Sequence, residues 1–158
     1  MFQKRKIGKT IDQLEKGDTY ETEVELTDKD ILLYLGLSDD ANPIYIQHDY
    51  ASRTPYGKPV VPHIMLTGII SSAISMELPG PGSYIQDQQL TYPKPLYHYG
   101  LLKVHLEVMD VDTDNHLVII GVNGYDRDDE EVVRGSFKVN PAYPWKPVTQ
   151  DKDNFENF

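Results

Sequence analysis

Cysteine is absent from this 158-residue chain, which excludes disulfides, thiolate metal sites and a cysteine nucleophile. Basic residues are scarce against acidic ones, 15 Lys and Arg to 25 Asp and Glu, and the formal net charge of −10 argues against a general nucleic-acid surface. An anionic group needs only a local basic patch; Lys58, Lys94 and Lys103 are candidates, with solvated surface the simpler account. No His–carboxylate cluster has metal-ligand spacing, so no metal site is expected. No apolar run follows Lys4, Arg5 and Lys6, which predicts no signal peptide and a cytoplasmic protein. Repeats and low-complexity tracts are missing as well. The length suits one domain, expected over 1–140. The proline-bearing, then acidic, stretch 141–158 is expected to be a tail in which Tyr143 and Trp145 pack and the last ten or so residues fray.

One further absence organises the chain. Between Ile64 and Met76 there is no charged residue; apolar side chains fall at 64, 65, 66, 69, 70, 73, 74 and 76, and the rest are Thr, Ser and Gly. This is helical spacing with an apolar face wider than a surface helix needs, so the segment is expected to be a helix buried nearly all round. At about 1.5 Å per residue it spans about 20 Å, too short for a bilayer. Pro62 offers a first helical position, and Leu78-Pro79-Gly80-Pro81-Gly82 ends the helix.

Such a helix needs a sheet around it, and strand patterns flank it. Thr19 to Leu26 alternates and is rich in Thr, Tyr and Val, Ser83 to Tyr92 carries unusual glutamines at 86, 88 and 89, and Leu101 to Val111 places Leu102, Val104, Leu106 and Val108 on one face. Leu117 to Asn123 and Val132 to Val139 complete a three-strand meander with turns at 112–115 and 126–130. Thr27 and Asp30 open a short helix through Ile31, Leu32, Tyr34 and Leu35, with Gly36 as its expected end. The fold class is α+β: about five antiparallel strands curled round a central helix at about 63–76.

Before that helix stands Ser38-Asp39-Asp40-Ala41-Asn42-Pro43-Ile44-Tyr45. Proline pushes Asn42 out of helical geometry, so both aspartates are delivered on a loop, where polar side chains can face a ligand. Asp40-Ala41-Asn42-Pro43-Ile44 with Tyr50-Ala51, then Tyr56-Gly57, His63-Ile64-Met65-Leu66, Leu78-Pro79-Gly80-Pro81-Gly82, Gln88-Gln89-Leu90-Thr91-Tyr92 and Pro95-Leu96, resembles the MaoC-like dehydratases and (R)-specific enoyl-CoA hydratases over roughly residues 15 to 140. The resemblance implies a hot-dog fold, usually dimeric, that binds an acyl thioester in a tunnel at the dimer interface. It implies no separate cofactor, coenzyme A or a carrier protein being part of the substrate.

In that family an aspartate and a histidine five residues later activate water, and a backbone N–H at the start of the central helix polarises the thioester carbonyl. The aspartate carries over to Asp40 and the asparagine to Asn42, but the histidine position holds Tyr45; Ile64 stands where the family often has glycine, and Leu101 where it often has aspartate. Asp40 is thus a candidate general base, or alternatively a turn cap. A phenol with an ordinary pKa of about 10 is a poor replacement for imidazole, so Tyr45 suits lining the pocket better than catalysis. His48 is a candidate replacement base or a surface residue. His63 and Ile64 are candidate substrate-binding positions with Asn42, the Ile64 N–H serving as oxyanion donor and the helix dipole keeping His63 neutral. The expected activity is hydration of an enoyl thioester or its reverse; the alternatives are a non-catalytic thioester-binding subunit, alone or paired with a hot-dog partner, and, behind these, a thioesterase.

Overall fold

The computed structural model describes residues 6–144. One antiparallel sheet in the order β1-β3-β4-β5-β2 is formed by β1 (Thr19–Glu25), β2 (Tyr84–Thr91), β3 (Leu101–Asp112), β4 (Leu117–Tyr125) and β5 (Glu131–Asn140). β3, β4 and β5 pair consecutively as the meander the alternation predicts. Leu102, Val104, Leu106 and Val108 are all buried, since a period of two sends them to the same concave face. That face packs on α4 (His63–Met76).

α4 corrects the expectation of a helix buried all round. Leu66, Thr67, Ile70, Ala73 and Ile74 are buried, whereas Ile64 is 54 % and Met76 60 % exposed, and Gly68 and Ser72 between them are open. A five-stranded sheet covers one side of a helix about 10 Å across; among the described residues nothing covers the other side. Pro62 is the residue before the helix, its N-cap, and not its first turn.

α1 (Asp28–Ser38) starts as expected, Asp30 accepting from the Thr27 N–H at 2.8 Å, but it does not stop at Gly36. It continues to Ser38 and ends on Asp39, in the left-handed region at φ 56; a short polar aspartate tolerates that backbone almost as glycine does. Two single-turn helices follow, α2 (Pro43–Ile46) and α3 (His48–Ala51). Tyr143 stacks on His116 with ring centroids 3.9 Å apart yet stays 69 % exposed. Trp145 and the expected fraying end lie outside the described residues.

Candidate functional site

Polar groups converge at the end of α1. The left-handed turn at Asp39 reverses the chain, and the Asp39 N–H donates to the Leu35 carbonyl at 2.9 Å. Ser38 then ties both sides of the reversal, its hydroxyl donating to the Tyr34 carbonyl (2.7 Å) and accepting from the Asp40 N–H (3.2 Å). Asp40 is thereby folded back over α1, and the Tyr34 hydroxyl donates to its Oδ2 at 2.9 Å. Tyr45 stands near enough to feel the same carboxylate: burial first, and the Asp40 charge second, push its phenol above the ordinary range. Tyr34 is raised too, by burial and by its hydrogen bond to Asp40. Both phenols therefore hold their protons at neutral pH, and that of Tyr34 is spent on the carboxylate.

Asn42 caps α2, its Oδ1 accepting from the Ile44 N–H at 3.1 Å. This local bond sets the entry of the segment carrying Tyr45 and commits one of the two polar ends of the amide. His48 is exposed at the first position of α3; among the described residues it shares no hydrogen bond with Asp40. The Ile44 carbonyl accepts from Val60 N–H at 3.1 Å, which anchors this loop just ahead of α4.

At the start of α4 the first N–H groups have no partner within the helix. Met65 N–H turns back to the Pro62 carbonyl at 3.0 Å, no side chain caps the end, and the Ile64 N–H remains a donor. His63 stacks on Tyr92 with centroids 3.9 Å apart and planes 13° apart. Although the residue as a whole is exposed, loss of hydration holds its imidazole below the usual value of 6.5. The Tyr92 hydroxyl is 2.8 Å from Thr67 Oγ1, so Tyr92 is fixed from two positions of one helix.

An apolar groove of about 330 Å³ runs beside α4, with Val24, Leu26, Leu33, Met65, Gly68 and Ile69 among its lining residues. The groove lies between β1, α1 and α4, the last two being the helices that carry Tyr34 and Ile64. A larger hollow of about 920 Å³ sits at the far end of α4, where Lys6, Lys9, Met76 and Pro79 meet; it is open surface away from Asp40.

A MaoC like domain model matches residues 11–126, most of the chain. The chain belongs to the MaoC-like domain family. It is 29 % identical over 100 residues to a 3-hydroxybutyryl-CoA dehydratase of Methylorubrum extorquens, a match covering 63 % of this chain and 64 % of the relative. It is likewise 29 % identical over 85 residues to an (R)-specific enoyl-CoA hydratase of Rhodospirillum rubrum, covering 54 % of this chain and 59 % of that protein. The chain thus matches less than two thirds of the length of these curated relatives. An unliganded R-hydratase structure from Pseudomonas aeruginosa superposes with a TM-score of 0.79 at 24 % identity, covering 89 % of this chain and 96 % of that one; this shows the hot-dog fold.

Within this MaoC-like domain the three lysines separate. Lys94 pairs with Glu130 and Lys103 with Asp129 at 2.8 Å. Lys58 has no carboxylate partner among the described residues and lies over the Tyr97 ring, 4.5 Å from its centroid. Sequence reasoning missed Tyr34, placing it only among the helical residues of α1. Six residues is not a helical repeat, and in a strand it would put the two about 20 Å apart; only the left-handed turn at Asp39 brings them together.

Proposed function

We propose that this MaoC-like chain adds water to a trans-2-enoyl thioester, or removes it from a 3-hydroxyacyl thioester. The observation that carries the reading is Asp40: a carboxylate held on one oxygen by the Tyr34 hydroxyl, on the loop anchored ahead of the α4 N-terminus. The relatives named as dehydratase and hydratase support the same chemistry. Asp40 accepts a proton from water as the water oxygen bonds to C3. The Ile64 N–H donates to the thioester oxygen, where negative charge gathers, and the proton returned to C2 completes the addition. The Tyr45 phenol, kept protonated, orients the water in place of imidazole; His48, exposed and apart from Asp40, is left outside the reaction. The acyl chain occupies the groove along Leu33, Met65 and Ile69, and coenzyme A or a carrier protein remains outside it.

The test is the initial rate at which enoyl-CoA absorbance is lost with a short trans-2-enoyl-CoA. Turnover by the wild type and a fall of about 10²–10⁴ in Asp40→Asn, without a matching loss of thermal stability, are the expected results. Absence of turnover in the wild type would favour a second reading, a non-catalytic thioester-binding subunit, for which the tyrosine in place of histidine is the specific observation. Unchanged turnover in Asp40→Asn would remove this carboxylate from the mechanism.

A further inference from the structure

Asp40 emerges from a helix end on a loop, and an aspartate with no imidazole partner has its carboxylate free to rotate. Fixing it before substrate arrives removes a cost that would otherwise be met in the transition state. We propose that Tyr34 is the positioning residue for Asp40: its hydroxyl holds Oδ2 at 2.9 Å and leaves Oδ1 to handle water. The inference rests on the hydratase reading above.

The local geometry is built for this contact. α1 runs two residues past its glycine, reverses at Asp39 with φ 56, and has both sides of the reversal joined through the Ser38 hydroxyl. The result brings residue 40 back to residue 34. Tyr34 is half-buried, and an apolar ring alone would fill such a place; its hydroxyl is spent on the carboxylate. Burial and the hydrogen bond to Asp40 keep the phenol protonated, so Tyr34 is a donor across the working pH range and does not compete with Asp40 for the water proton. The Asp40 charge also reaches the Tyr45 phenol and, after burial, helps to hold it above the ordinary range. A neutral donor thus holds the acceptor where the resemblance implies an acid–base pair, and the fixed orientation of the carboxylate replaces part of what the imidazole would supply.

A double-mutant cycle tests the idea in steady-state hydration of a short trans-2-enoyl-CoA by wild type, Tyr34→Phe, Asp40→Asn and the double variant. Tyr34→Phe is expected to lose about ten- to a hundredfold in kcat, with KM within about twofold, and to lose nothing further once residue 40 is asparagine. A side chain that only packs would cost the same factor in both backgrounds, and that result overturns the proposal, as does wild-type kcat in Tyr34→Phe or a loss confined to KM. Wild-type inactivity would overturn the hydratase reading and this inference with it, whereas an active wild type with additive variants overturns this inference alone. Should Tyr34→Phe fail to fold, phenolate absorbance against pH decides in a Tyr45→Phe background, which removes the other phenol that feels the Asp40 charge: adding Asp40→Asn is expected to bring a high-titrating phenol down to lower pH, and an unmoved titration overturns the clamp.

Discussion

Tyr45 and His63 show how single residues set what this site can do. Tyr45 occupies the position where an imidazole would stand five residues after Asp40, and its phenol is pushed up, away from neutrality, by burial and by the Asp40 charge. Tyr45→His is therefore expected to raise enoyl-thioester hydration by at least about tenfold, equivalent to about 1.4 kcal/mol of barrier, because imidazole titrates near neutral pH. A gain that survives in Tyr45→His with Asp40→Asn would show the histidine working without the carboxylate. His63 carries a pH dependence of stability. The unfolded chain takes up its proton near the ordinary value of 6.5 and the folded chain only below it, so stability is full above that pH and declines as pH falls toward the folded value. Thermal melts at pH 7.5 and 5.5 are expected to show a smaller loss for His63→Phe, which keeps a ring against Tyr92, than for the wild type. Lys58, over the Tyr97 ring and without a carboxylate among the described residues, is the lysine best placed to meet a phosphate. Lys58→Glu is expected to raise KM for the CoA substrate with little change in kcat, and an unchanged KM would return Lys58 to the solvated surface.

Among the elements, α4 was the most legible, and its uncovered side the least. Thirteen residues without a charge dictate a helix in contact with a core, and Leu66, Ile70 and Ile74 are fully buried as that requires. Ile70→Ala is expected to lower unfolding free energy by about 2–5 kcal/mol in denaturant titrations, the range for emptying a packed site. How far a helix is covered depends on the width and curl of the sheet, which no pattern within the helix records. α1 shows the same division: the Thr27–Asp30 box marked its start, but Gly36 did not end it. A residue able to stop a helix does so only where the following chain has partners, and here Ser38 and Asp39 supply them.

For the whole molecule, the open questions are its edges and its bare face. β1 and β2 are the sheet edges, Leu37 is 88 % exposed on α1, and Ile64 and Met76 are exposed on α4. Unpaired strand edges and apolar surface together favour association across a two-fold axis. Light scattering at micromolar concentration is expected to give about twice the chain mass of 18.0 kDa, and a clean single-chain mass would count against the dimer. The sequence by itself determined what depends on neighbours a few residues apart: the alternation that buries Leu102 to Val108, the charge-free central helix, the Asn42-Pro43 entry that puts Asp40 on a loop. Those signals are local because backbone period and capping act over one or two turns. Only the tertiary structure decided that Tyr34 holds Asp40, that His63 and Thr67 both engage Tyr92, and that among the described residues Lys94 and Lys103 meet carboxylates, Lys58 meets none and one side of α4 stays bare. A hydrogen bond or ion pair forms over about 3 Å, and which groups come that close depends on how turns and strands bring distant positions together.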